Sequence, residues 1–151
     1  MIISFTGHRN LNGLDEKIKI RLIEILDEYK PEHTISGMAL GFDILAAKVC
    51  IDKGIKFIAA IPGFWQPNRW PKDSIKEYHD IKIKAFKTVI TDENPYEYAA
   101  WKLNKRNEWM VNNSNLVVAC YDGSGKGGTY NCIRYAEKHG KEIVFINMKE
   151  L

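Results

Sequence analysis

Short apolar runs of strand length alternate along this chain with longer amphipathic runs of helix length, and that rhythm narrows the possible folds more than any other feature. "IISFT" (2–6), "HTIS" (33–36), "KFIAAIP" (56–62), residues 87–91, "LVVACY" (116–121) and "EIVFIN" (142–147) read as strands. Segments 15–29, 41–53, 72–85, 96–113 and 128–139 read as helices between them. In the first helix Ile18, Leu22, Ile25, Leu26 and Tyr29 recur at helical spacing, with Asp15 expected as its N-cap. Strands separated by helices pair in parallel through right-handed crossovers, which cover both faces of a sheet. The expected architecture is an α/β domain, doubly wound, with a mainly parallel sheet and helices on both faces. It spans residues 1–151 as a single domain, with no internal repeat or linker.

Composition excludes several classes of function. With 22 basic and 19 acidic residues the net charge is only +3, short of what a nucleic-acid-binding domain usually carries. Nucleic acid is therefore not expected as a partner, whereas a small anionic ligand is. The three cysteines, Cys50, Cys120 and Cys132, show no CxxC spacing, so neither a metal site nor a disulfide framework is expected. No apolar run has bilayer-spanning length, and "MIISFTGHRN" enters a strand without a leader. These features predict a cytoplasmic protein with no membrane partner.

In doubly wound sheets, ligands bind beyond the carboxyl ends of the strands. Four segments fall there: "TGHRN" (6–10), "SGMALGFD" (36–43), "PGFWQPNRW" (62–70) and "YDGSGKGGT" (121–129), which together hold eight of the eleven glycines. Thr6, Gly7, His8 and Arg9 follow the first strand, where glycine lets the backbone turn and arginine can grip a phosphate in bidentate fashion. Gly37 and Gly41 flank a turn that places the amides of Met38 and Ala39 at the sheet edge. Asp43 lies in the next helix's first turn, as a cap or as an acceptor for a ribose hydroxyl. Pro62 and Gln66 belong to a loop whose Trp65 and Trp70 either stack on a base or simply pack over the edge. Asp122, Gly123, Gly127, Gly128 and Thr129 open the last helix, whose N-terminal amides favour an anion. That loop is not a Walker A motif, since Lys126 is followed by glycine.

Segment 96–113 carries an anomaly. Ala99, Leu103, Met110 and Val111 trace its apolar stripe, yet Arg106 and Asn107 fall on or beside it. A buried arginine needs a partner, either a ligand phosphate or an internal carboxylate such as Asp43 or Asp122. Tyr96, Tyr98, Trp101 and Trp109 give the same segment a second aromatic face. That face is either covered by the Trp65–Trp70 loop or buried in a homo-oligomer, and the latter is expected.

"TGHR", "SGMALGFD" leading into "AA", "IPGFWQPNRW", "RNEWMV" and "DGSGKGGT", in this order, resemble the SLOG superfamily, named for the SMF/DprA and LOG proteins, and within it the YspA/YpsA-like branch. The resemblance covers nearly the whole chain. It implies a Rossmann-like fold and a nucleotide-derived ligand (ADP-ribose, NAD or nucleoside phosphate type) at the glycine-rich edge, with no required cofactor and commonly with self-association. The alternative is a hydrolase cleaving an N-glycosidic or phosphate bond, with His8, Asp43 and Asp122 as its titratable groups. LOG-type phosphoribohydrolases carry a glutamate where this chain has Cys132, and relatives often read "MVD" where it has Met110-Val111-Asn112. Both departures favour binding over catalysis.

Overall fold

The computed structural model describes residues 1–151. Six strands form one sheet: β1 (Ile2–Gly7), β2 (His33–Ser36), β3 (Phe57–Ile61), β4 (Lys87–Ile90), β5 (Leu116–Tyr121) and β6 (Glu142–Asn147). Their order across the sheet is β4-β3-β2-β1-β5-β6, and every neighbouring pair is parallel. Five helices connect them: α1 (Asp15–Tyr29), α2 (Phe42–Lys53), α3 (Lys72–Ile83), α4 (Trp101–Asn112) and α5 (Gly127–Lys138). The chain therefore steps from β1 outward to β4, then returns past β1 to β5 and β6. Right-handed crossovers in opposite directions put their helices on opposite faces. Accordingly α1, α2 and α3 pack together on one face, and α4 and α5 on the other. The fold is Rossmann-like, as expected, and wholly rather than mainly parallel.

The two faces differ in depth. Phe5, Leu22, Leu26, Phe42, Phe57 and Tyr78 belong to a core of 24 buried residues, whereas the face under α4 and α5 holds two clusters of four. β1, β2 and β5 are buried on both sides because parallel strands under two helical layers have no wet face. β1 and β5 are in register from Ile3↔Leu116 to Gly7↔Cys120, and strand order reverses between them.

Two local expectations fail for identifiable reasons. Asp15 is not the N-cap of α1; Leu14 occupies that place without a side-chain cap, and Asp15 lies in the first turn, where a carboxylate meets the positive end of the helix dipole. More consequentially, the helix expected from 96 begins at Trp101. Pro95 follows an asparagine whose Oδ1 accepts from the amides of Tyr96 and Glu97, at 3.2 and 3.3 Å, and so makes a turn there. Lys102 Nζ then donates to the carbonyls of Asn94 and Glu97 and pairs with Asp92 at 2.9 Å. Tyr96 and Tyr98 therefore belong to a loop and not to a face of α4. The buried residues of α4 are Lys102, Arg106, Met110 and Val111, so Ala99 and Leu103 are not the stripe it buries.

No helix is long and apolar enough to cross a membrane.

Gly7 shows how tightly β1 meets α2. A side chain there would fall 2.5 Å from Phe42 Cβ and 2.6 Å from its ring, with no flexible end to move aside. Gly7→Ala is expected to destabilise the fold by about 1–3 kcal/mol through overpacking. Urea denaturation measures this, and an unchanged midpoint would show that α2 shifts freely.

Candidate functional site

The loops leaving β1, β2 and β3 meet at the carboxyl edge and enclose a pocket of about 600 Å³. Gly7 and Arg9 come from the first loop, Ala39 and Leu40 from the second, and Trp65, Gln66, Asn68, Arg69 and Trp70 from the third. Tyr96, Tyr98 and Leu103 close it from the segment before and within α4. Two arginines and four aromatic rings line it, and no acidic side chain does. Arg9 and Arg69 are both exposed, and neither makes an ion pair or a side-chain hydrogen bond.

The floor of this pocket is built around the carbonyl of Gly37, which accepts from Arg106 Nη1 and, at 2.9 Å, from Gln66 Nε2. Gln66 Oε1 in turn accepts from the Tyr78 hydroxyl at 3.2 Å, which ties the third loop to α3. Gly37 has to be glycine here, because an added Cβ would sit 2.8 Å from Asp43 Oδ2 and 2.9 Å from Arg106 Cζ. Gly41, at φ +87°, brings its backbone against the carbonyls of His8 and Arg9, and the first two loops thereby interlock. Met38 is buried in the left-handed region at φ 60°, held by a 3.1 Å bond from its amide to Ser36 Oγ.

Arg106 is only 3% exposed. Its partners are the carbonyls of Gly37 and Ala60 and, through Nε, the Asn107 side chain at 2.9 Å. No carboxylate lies within ion-pair distance of it, so the internal carboxylate expected as one alternative is not what holds it. Asp43 is the nearby opposite charge, and burial pushes its carboxyl up to about 6, against the pull of the Arg106 guanidinium and the Ala39 amide. Burial likewise lowers Arg106 from its usual value, while Asp43 opposes the shift.

The remaining expected residues lie elsewhere. Thr6 and Pro62 are buried at the ends of their strands without lining the pocket. His8 turns away toward β5, where its Nε2 lies 2.9 Å from Asp122 Oδ1 and its ring stacks on Tyr121 at 5.5 Å. Asp122 is held below the usual carboxylate range, first by the Ser124 amide and also by His8. Gly123, Gly127, Gly128 and Thr129 follow on that side of the His8–Asp122 contact. The glycine-rich loop thus forms a second region, at the β1/β5 reversal, and does not wall the arginine pocket. Side chains added at Gly127 and Gly128 would meet nothing, so open backbone and not packing surrounds them. Tyr96 and Tyr98 were not in the expected binding set, and Arg69 was expected only as part of the loop that carries Trp65 and Trp70. The turn at Asn94-Pro95 is the one sequence signal that could have brought the tyrosines into it.

Taken together, the fold and the pocket define a Rossmann-like α/β domain with two unpaired arginines and exposed rings at the carboxyl edge of its sheet. Residues 1–150 match the model of DNA recombination-mediator protein A, and the chain belongs to that family. It is 33% identical over 141 residues to the uncharacterized SPbeta prophage-derived protein YoqJ of Bacillus subtilis (strain 168), covering 81% of each chain. DNA processing protein A from Helicobacter pylori, for which a single-stranded DNA binding mode is described, superimposes with a TM-score of 0.71 at 20% identity. DNA processing protein A from Streptococcus pneumoniae gives 0.73 at 19% identity. The chain is 96% and 95% covered in these two matches but spans only 64% and 49% of the larger proteins. At such identity the two structures speak for the fold. The family and the Helicobacter pylori protein overturn the expectation that excluded nucleic acid as a partner. That expectation averaged charge over the chain and did not weigh Arg9 and Arg69, which stand without ion pairs in one pocket.

Asp43 gives the site a measurable pH signature. Its carboxyl rises from the usual 3.8 to about 6, so between these values the folded chain binds a proton that the unfolded chain does not. Its contribution to stability is therefore greatest below that window and falls as pH rises through it, by about 3 kcal/mol in all. Asp43→Asn is expected to flatten the stability profile between about pH 4 and 6.5. An equally steep profile in the variant, followed by urea titration, would assign the slope to other groups.

Proposed function

We propose that this domain binds a nucleotide-type ligand in the pocket between the loops after β1, β2 and β3. The observation that carries the reading is the pairing of chemistries there: Arg9 and Arg69 without protein partners, beside Trp65, Trp70, Tyr96 and Tyr98, in a lining free of acidic groups. Guanidinium forks match phosphate oxygens, and aromatic faces match bases. The volume of about 600 Å³ falls within the range of small-molecule and cofactor sites. Gln66 and Asn68 add carboxamides that can select among base edges or ribose hydroxyls.

Binding without turnover is the form of this reading best supported by the surrounding groups. Cys132, at the position of the LOG-type glutamate, is buried, and burial pushes its thiol up to about 11. It stays a neutral thiol at physiological pH and supplies no acid, base or nucleophile. Family membership and the single-stranded DNA binding of the Helicobacter pylori protein favour a second form of the same reading, in which the nucleotide is a unit of a single strand.

Calorimetric titration with ADP-ribose, NAD, AMP, dTMP and short oligothymidylates separates these forms. At least one is expected to bind more tightly than about millimolar, near −4 kcal/mol. Arg9→Ala and Arg69→Ala should each weaken binding by about 1.5–3 kcal/mol, the size of a charge-assisted hydrogen bond. Absence of binding across the panel, or equal affinity in wild type and both variants, would defeat the proposal.

A further inference from the structure

We propose that the corner joining α3 to β4 is a peripheral docking point for an anionic membrane surface. It lies at the amino end of β4, on the opposite edge of the sheet from the pocket, and goes beyond the nucleotide reading without resting on it.

Two apolar side chains mark the corner. Ile83, the last residue of α3, is 82% exposed, more than any other large hydrophobic side chain of the protein. Phe86, three residues on and directly before β4, is 60% exposed. One exposed apolar residue is ordinary, but two on a single tight turn form a tip. The turn is held by its own backbone. Lys84 N and Ala85 N donate to the carbonyls of Ile81 and Lys82, at 3.0 and 3.1 Å, and Phe86 N donates to Phe57 O at 2.8 Å. A tip ordered before contact loses less freedom on binding.

Lysines surround the tip. Lys84 and Lys87 flank it in "KAFK" (84–87), and Lys56 Nζ stands 4.9 Å from the centre of the Phe86 ring. None of the three side chains makes an ion pair or a hydrogen bond. Of the carboxylates that share a groove with Lys84, Asp80 is taken by Lys76 and Glu77 by Lys48, while Asp52 and Asp73 are unpaired. Lys56 and Lys87 stand outside that groove.

These features select the partner. A side chain 82% exposed stands on a protrusion, which suits a yielding surface and offers no groove for a peptide. A second copy would bring the lysines against their own equivalents across a two-fold axis. A polyphosphate backbone would attract the lysines but gain nothing from isoleucine and phenylalanine. An anionic bilayer meets both chemistries, with lysines among the headgroup phosphates and the two side chains at the acyl boundary. The lack of a bilayer-spanning run, from which no membrane partner was expected, has no bearing on contact with one leaflet.

Sedimentation with vesicles tests this, comparing equal parts of phosphatidylglycerol and phosphatidylcholine with phosphatidylcholine alone. Wild type is expected to pellet with the anionic vesicles and not with the neutral ones. Lys84→Gln combined with Lys87→Gln should weaken binding about twenty-fold, at about five-fold for each lysine near an anionic surface. Ile83→Ser and Phe86→Ser should each weaken it about five-fold or more, through apolar area no longer withdrawn from water. Wild type that stays in the supernatant with anionic vesicles overturns the inference. So do Ile83→Ser and Phe86→Ser proteins, with the wild-type circular dichroism spectrum, that pellet as wild type does, since charge alone would then hold the chain there. Either result leaves the pocket reading as it stands.

Discussion

Arg106 is the fixed point around which the carboxyl edge of the sheet is assembled. A guanidinium 3% exposed cannot be left to water, and α4 delivers it under the sheet edge, where the carbonyls of Gly37 and Ala60 and the Asn107 side chain accept from it. Its hold on Gly37 requires that residue 37 have no side chain, because Asp43 and Arg106 already occupy the space a Cβ would fill. Once Gly37 is fixed, its carbonyl also receives Gln66, and Gln66 receives Tyr78. One buried cation therefore ties together the loops after β2 and β3 and, through Gln66, α3. Removing it would leave a carboxylate, a carbonyl and a carboxamide competing for water that the core does not admit.

This arrangement explains why the residues in the pocket wall are not the ones doing the holding. Arg9 and Arg69 are free because Arg106 already anchors the floor, and Asp43, the one acid nearby, is turned beneath Gly37 toward Ala39 N at 3.4 Å. Its negative charge is thereby kept out of the lining. A pocket facing anions needs both conditions, cations with nothing else to bind and acids kept below the surface.

The order of strands and helices was legible because each rests on local period: apolar runs of four to six residues for strands, helical spacing for the rest. That the glycine-rich loops would share the carboxyl edge was legible for a topological reason, since glycines cluster where parallel strands end. What could not be read was partnership across the sheet. Arg106 announced itself as an anomaly, but Gly37 O as its partner lies 69 residues away and is a backbone atom that no residue type reveals. Lys102 gave less warning still. A lysine in a helix normally faces water, and its burial against Asp92 depends on a turn at Asn94-Pro95 that the helical pattern from 96 to 113 concealed. The same error placed Tyr96 and Tyr98 on a helix.

The division of the edge into two regions follows from the strand order. β1 ends at the reversal, and its loop must serve both sides: Arg9 goes toward β2 and β3, His8 toward β5. The chain bends at Arg9 directly after β1, so these sequence neighbours face opposite sides of the strand's end. His8 and Asp122 hold the glycine-rich loop at the reversal through a contact of 2.9 Å, while Arg9 remains unpaired on the other side. A chain with one basic residue after β1 could either close the β1/β5 gap or present a cation to the pocket. With histidine and arginine in succession it does both, and the free charge falls on the side where the aromatic rings stand.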